Sequence, residues 1–252
     1  MTTTVSEFSF PGRAVRRTVG TRLLMKRVFD LVVAVTALVV LSPVLLLIAT
    51  VLLITEGRPV LFRQERVGRY GHPFVMWKFR TMVIDAESRL ADLQQANERS
   101  GPLFKMNADP RVTRIGQFLR ATSLDELPQL LNVVTGTMSL VGPRPALFEE
   151  RDSFTPELLA REEMPPGITG LWQVEARTEG DFDRYRQLDL AYVENWTLRL
   201  DLWLLVRTPF ALIGQATSPA IDSAESIAEV TPFSRSIPLS TSDSFEHVAD
   251  AS

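Results

Sequence analysis

Leu31-Val-Val-Ala-Val-Thr-Ala-Leu-Val-Val-Leu-Ser42-Pro43-Val-Leu-Leu-Leu-Ile-Ala-Thr-Val-Leu-Leu-Ile54 runs for about 24 residues without a charge, and its reading decides the fold. A helix of that length can cross the hydrocarbon of a bilayer. The run is too long for a removable signal peptide and has no small-residue cleavage site at its end. Ser42-Pro43 falls at its centre. Proline removes a backbone hydrogen bond and clashes with the preceding turn, so a kink is expected, with the Ser42 hydroxyl available to a freed carbonyl. Both flanks are basic, with Arg22, Lys26 and Arg27 before the run and Arg58, Arg63, Arg66 and Arg69 after it. A spanning helix has a lopsided Lys/Arg distribution. The symmetry here favours a broken, re-entrant helix over residues 22–56 that enters and leaves on the cytoplasmic side. The alternative is an ordinary Pro-kinked spanning anchor.

Working outward, residues 1–21 read as a flexible basic arm carrying Arg13, Arg16 and Arg17, suited to anionic headgroups. Residues 57–215 read as a cytosolic catalytic domain. Residues 216–252, rich in Ser, Thr, Pro and acids without periodicity, read as a disordered tail. The net charge of −3 argues against a general nucleic-acid binder, although a basic arm and an acidic tail conceal a basic face near the membrane. With no cysteine and only His72 and His247, thiolate nucleophiles, Cys-ligated zinc and His-based triads drop out. Acid, base and nucleophile roles fall to carboxylates, and a divalent ion would be a hard one such as Mg²⁺.

Immediately after the apolar run, Val60–Gly68 and Pro73–Met82 read as strands of a small hairpin around Tyr70-Gly71-His72. Arg66, Lys78 and Arg80 alternate with apolar residues there, which suits either a phosphate-facing edge or a solvated one. Asp85 to Ser100 reads as an exposed amphipathic helix. Arg111, Arg114 and Arg120 follow, just upstream of Ser123-Leu124-Asp125-Glu126. Ser123 and Glu126 fit a capping box, after which Leu127, Leu130, Leu131 and Val134 recur at helical spacing and would face a core. A start near Asp125 would instead put Pro128 in the first turn, where proline costs nothing. Either way both acids sit near a helix start, where stability alone often places acids and where phosphate also binds. The nearby arginines would hold Asp125 and Glu126 ionised and neutralise a diphosphate. Further on, Pro165–Gln173 is turn-rich, Asp183–Trp196 reads as a helix, and Leu198–Gly214 suits an interfacial helix or a buried one.

These motifs together resemble the bacterial sugar transferase family, the small monotopic phosphoglycosyl transferases. The resemblance is carried by Lys26-Arg27-Val28-Phe29-Asp30, Ser42-Pro43, Gln64-Glu65-Arg66-Val67-Gly68, Lys78-Phe79-Arg80-Thr81-Met82, Thr122 to Leu130, Val141-Gly142-Pro143-Arg144-Pro145 and Gly167-Ile-Thr-Gly-Leu-Trp-Gln173. It runs from Lys26 to about Gly214. The chain looks like the catalytic module alone, lacking the several-helix membrane domain of longer members.

The resemblance implies transfer of a sugar 1-phosphate from a nucleotide diphosphate sugar, usually a UDP-sugar, onto membrane polyprenyl phosphate, with release of UMP. Asp125 would be the nucleophile, giving an aspartyl-phosphosugar intermediate, and Glu126 would help hold Mg²⁺. Arg144, between Pro143 and Pro145, would contact the nucleotide. Lys26 and Arg27 are candidates for the lipid phosphate or for simple interfacial anchoring. The expected setting is the cytoplasmic face of a bacterial inner membrane, in exopolysaccharide or related glycan assembly, with downstream glycosyltransferases as candidate partners. The fold expected is α+β: a helix-rich cytoplasmic domain with a small β-hairpin, on a re-entrant membrane helix plus interfacial helices. A nucleotide-sugar hydrolase would use the same Mg²⁺ and arginines with water as acceptor, and a membrane scaffold would need neither. A glycosidase is disfavoured, because its two acids must flank the scissile bond.

Overall fold

The computed structural model describes residues 13–89, 93, 106, 109–175 and 182–213. Helix α1, Arg13–Glu56, is 44 residues long and contains Pro43, so residues 13–20 of the expected arm are helical. Pro43 frees the carbonyl of Val39, and Ser42 Oγ donates to that oxygen at 2.8 Å, as the sequence suggested. Thr21–Thr55 is long and apolar enough to cross a membrane. Strands β1 (Leu61–Val67) and β2 (Pro73–Phe79) pair antiparallel, with Leu61 opposite Phe79 and Val67 opposite Pro73. The expected hairpin is therefore present. Helices α2 (Arg114–Thr122) and α3 (Gln129–Thr135) follow, then β3 (Ser139–Val141), the short helices α4 (Phe148–Arg151) and α5 (Pro156–Leu159), β4 (Gly167–Thr169), α6 (Leu171–Glu175), α7 (Phe182–Glu194) and α8 (Leu198–Ile213). The result is a helix-rich mixed fold with two small sheets.

The second sheet is unexpected. Strands β3 and β4 pair in parallel, Ser139 with Gly167 and Val141 with Thr169. Each is only three residues long, too short for periodicity to reveal. The backbones cross so closely that a Cβ on Gly167 would lie 2.1 Å from the Gly142 nitrogen, a separation only glycine permits.

Helix α1 contributes to both apolar clusters found among the described residues. Its first half packs Ala34 with Val133, Leu140, Tyr192 and Leu204, among others, and its second half packs Ile48 and Leu52 with Phe79 and Leu119. Burying a side chain such as Leu52, 1% exposed, contributes about 2 kcal/mol. Between these patches Val39, Val40, Leu46 and Leu47 are exposed.

Polar contacts reinforce both docking points. Lys26 Nζ lies 2.7 Å from Asp201 Oδ2, donates to Val141 O at 3.0 Å, and sits 3.8 Å from Asp30. Ser139 Oγ donates to Asp30, while Tyr192 OH and Trp196 Nε1 donate to Asp201. Arg27 donates to the carbonyls of Val133 and Val134 at the end of α3, where cations suit the helix dipole. At the far end, Arg80 Nη2 donates to Glu56 O at 2.6 Å and Gly57 O at 3.0 Å.

Two readings need correction. Ser123 is left-handed, at φ 56 and ψ 18, and ends α2; its side chain caps nothing in the Leu124–Glu126 3-10 turn that follows. The capping box is absent, because α3 starts only at Gln129 behind Pro128. That start resets the helix phase, so Leu130 and Val133 are buried and Leu131 is 45% exposed. Residues 84–89 form turns where a helix from Asp85 was expected; most of that segment, residues 101–105 and the tail from 216 lie outside the described residues.

Replacing Lys26 by Met should leave Asp201 and Asp30 buried without their cation. The expected loss is about 3 to 5 kcal/mol, read as a lowered Tm in detergent. An unchanged Tm would contradict the docking role assigned to this lysine.

Candidate active site

The acid pair opens into a cleft of about 1690 Å³. Eight cations and four carboxylates line it; the cations include Arg58, Arg66, Lys78, Arg80, Arg111, Arg120 and Arg144. Asp125 is 8% exposed, held on the 3-10 turn between α2 and α3. Glu126 pairs with Lys78 of β2 at 2.8 Å. Arg120 reaches in from the last turn of α2, its Nε donating to Thr81 Oγ1 at 2.8 Å.

Burial pushes the Asp125 carboxyl up to about 6, and the charge of Glu126 adds to this; Lys78 and Arg120 pull it back only in part. The expectation that neighbouring arginines simply hold it ionised is therefore incomplete, because desolvation outweighs them. At neutral pH the group is still mostly a carboxylate, poorly hydrated, and set among cations. A desolvated carboxylate in such a setting is chemically competent to attack an electrophile.

The Pro143-Arg144-Pro145 turn is fixed by its neighbours. Gly167 N donates to Pro143 O at 2.9 Å, Arg66 Nη1 to Pro145 O at 3.1 Å, and Val67 N to Ala146 O at 2.9 Å. Arg161, buried in an ion pair with Asp189, donates to the Arg144 carbonyl. The Arg144 side chain, 3.6 Å from Glu150 and 5.3 Å from the Trp172 ring centroid, stays partly exposed to the cleft. Cation–π contact with Trp172 holds the guanidinium without consuming all its donors.

The other sequence candidates divide. Arg66 lines the cleft but is spent on Pro145 O and Gln64, so it positions the turn; burial and the nearby Arg144 lower its pKa to about 10. Arg111 also lines the cleft, bound to Asp109 and Ala86 O. Arg114, at the start of α2, is exposed and does not line the cleft. Lys26 and Arg27 are closed in the contacts that dock α1, which gives them a structural place away from the cleft. Arg161, Asp189, Tyr192 and Asp201 were missed. Asp201 carried a signal, the lone acid of a largely apolar helix whose other charges are Arg199 and Arg207; the others had none before the chain was folded.

Among the described residues no three metal-ligating side chains converge. The available carboxylates, Glu126 and Asp125, fit a hard cation that takes one or two protein oxygens and fills its remaining positions from phosphate and water.

A profile of the bacterial sugar transferase family matches residues 21–215. The chain belongs to that family. The exopolysaccharide production protein ExoY of Sinorhizobium fredii is 37% identical over 187 residues, covering 73% of this chain and 83% of that protein. The undecaprenyl-phosphate galactose phosphotransferase of Salmonella typhimurium is 41% identical over 189 residues, 73% of this chain and 39% of its own. The UDP-glucose:undecaprenyl-phosphate glucose-1-phosphate transferase of Klebsiella pneumoniae is 38% identical over 200 residues, 76% of this chain and 40% of its own. The chain thus spans about two fifths of the longer relatives and most of the short family member.

Because Asp125 is harder to ionise folded than unfolded, its burial costs stability as pH rises from about 4 through about 6. Asp125→Asn should keep the fold and raise stability at pH 7.5 by on the order of 3 kcal/mol, a gain that fades toward pH 4. A Tm at pH 7.5 no higher than wild type would contradict a desolvated charge at this position.

Proposed function

We propose that the protein transfers a sugar 1-phosphate from a nucleotide diphosphate sugar, most simply a UDP-sugar, to a membrane polyprenyl phosphate. The observation that carries this reading is a desolvated Asp125 opening onto a strongly cationic cleft that adjoins the end of an apolar helix. An Asp125 oxygen attacks the sugar-bearing β-phosphorus, the bond from that phosphorus to the α–β bridging oxygen breaks, and UMP leaves with the electron pair. A lipid phosphate oxygen then attacks the same phosphorus, the aspartyl oxygen departs as carboxylate, and a sugar-diphosphate lipid results. Mg²⁺ held by Glu126 and the diphosphate would neutralise phosphate charge. Lys78 and Arg120 flank the reacting carboxylate, and Arg144, fixed by Arg66 and Arg161, is presented to the nucleotide.

For topology, we propose a re-entrant α1 with both ends on the cytoplasmic face of a bacterial inner membrane. Support comes from its two docking points. Residues 26–34 and 48–56 both pack on one domain, whereas the 31 residues from Lys26 to Glu56 would extend about 45 Å as a straight helix. A helix that crossed a bilayer core about 30 Å thick would hold those ends apart. The exposed stripe Leu202, Val206 and Phe210 on α8 suits a helix lying at the interface. The relatives named for exopolysaccharide production support a role in exopolysaccharide or similar glycan assembly, with later glycosyltransferases as the proposed partners.

Purified protein in detergent, given Mg²⁺, polyprenyl phosphate and either UDP-galactose or UDP-glucose, should release UMP, with Asp125→Asn reducing turnover at least a thousandfold (roughly the scale of a lost essential group). Release that persists without lipid would indicate a hydrolase, and full activity in the variant would remove Asp125 from the chemistry. Cysteines replacing Arg22 and Arg58 should both react with an impermeant label from the cytoplasmic side only; labelling from opposite sides would establish a spanning helix.

A further inference from the structure

Once Lys26 and Arg27 are closed in docking contacts, the cleft needs another cation for the phosphate of the second substrate. Arg80 stands out. It is 6% exposed and lines the cleft, yet Nε and Nη1 make no hydrogen bond and no carboxylate pairs with it among the described residues. Only Nη2 is engaged, by the carbonyls of Glu56 and Gly57. Those carbonyls end α1 and carry part of the helix dipole, which offsets a fraction of a charge. A buried guanidinium with two unsatisfied nitrogens is costly to keep. An oxyanion is the natural complement, and the low-dielectric setting makes such charge-assisted bonds strong.

The surroundings indicate what carries the anion. Leu53, Arg58 and Pro59 line the same cleft as Arg80 and Asp125, and Leu53 and Ile54 of α1 are 44% and 78% exposed. A cationic wall thus adjoins an apolar helix surface, which matches an amphiphile with a phosphate head. Arg120 and Lys78 face the acid pair, Arg144 lies against Trp172 and Arg63 over Trp77; of the two arginines beside the end of α1, Arg58 is exposed and Arg80 is the buried one with unsatisfied nitrogens.

We infer that Arg80 binds the phosphate of a phosphate monoester carrying an apolar chain, which enters the cleft beside the end of α1 and presents its oxygen toward Asp125. The choice of ligand rests on the transferase reading, while the binding itself can be measured without transfer. Because Nη2 grips Glu56 and Gly57, the same side chain would couple the seating of the membrane helix to acceptor binding.

The test is equilibrium dialysis of the full chain in detergent against geranyl phosphate, geraniol and labelled inorganic phosphate, with no donor present. Wild type should bind geranyl phosphate more tightly than inorganic phosphate and should not bind geraniol. Arg80→Gln should weaken geranyl phosphate at least about tenfold, the scale of one lost charged hydrogen bond. Arg80→Lys should also weaken it, because one ammonium cannot span the helix end and an anion together, and it decides the matter where the Gln variant does not fold. Unchanged affinity in a folded variant overturns the proposal. Equal affinity for inorganic and geranyl phosphate overturns the lipid source. Arg80-dependent binding without any transfer in the UMP assay would defeat the transferase reading alone.

Discussion

One domain grips a single long helix at two places. At one, Lys26 sits between Asp30 and Asp201 while Arg27 caps α3; at the other, Arg80 caps α1 itself. The capping is reciprocal, an arginine from each side satisfying carbonyls at the end of the other's helix. Helix ends need such partners, and here they fix where the apolar middle of α1 can project. The same two clamps place the acid pair, since α3 hangs from the first and β2, with Lys78, from the second. The placement of the long apolar helix and the geometry of the acid pair are thus set by the same contacts.

The chemistry follows from a balance between burial and charge. Cations crowd the cleft, but Asp125 is buried deeply enough that desolvation outweighs them and its proton affinity rises. A carboxylate is a poor nucleophile when hydrated and ion-paired; withdrawing it from water while keeping cations nearby for the incoming phosphate improves both reactants. Glu126, one residue on and half-open, is paired with Lys78. Two adjacent carboxylates therefore have different environments, one desolvated and one half-open and ion-paired, and the proposed reaction assigns them different roles.

Much of this was legible in the sequence. The charge-free run announced a long apolar helix, seen as α1 running through Pro43, and alternation announced the hairpin. The acid pair and the Pro-Arg-Pro turn were both singled out, and Asp125, Glu126, Arg144 and Pro145 line one cleft. What escaped has physical causes. Three-residue strands carry no period, so the parallel β3–β4 pair that brings Gly142 against Gly167 was invisible. Ser123 has the composition of a helix cap, yet it adopts a left-handed conformation to end α2. Lys26, Arg27 and Arg66 look like ligands for phosphate, and only the folded chain shows that carbonyls and buried acids already occupy them. Residue type indicates what a side chain can bind; the fold decides what is left for it to bind.

The central claim is that Asp125 takes the phosphosugar covalently. Protein incubated with Mg²⁺ and a UDP-sugar labelled in the sugar, without lipid, then quenched and digested, would be read by mass spectrometry. A phosphosugar adduct on the peptide containing Asp125, discharged when polyprenyl phosphate is added, is the expected result. UMP release and lipid product formed with no adduct, under quench conditions that preserve an acyl phosphate, would contradict it.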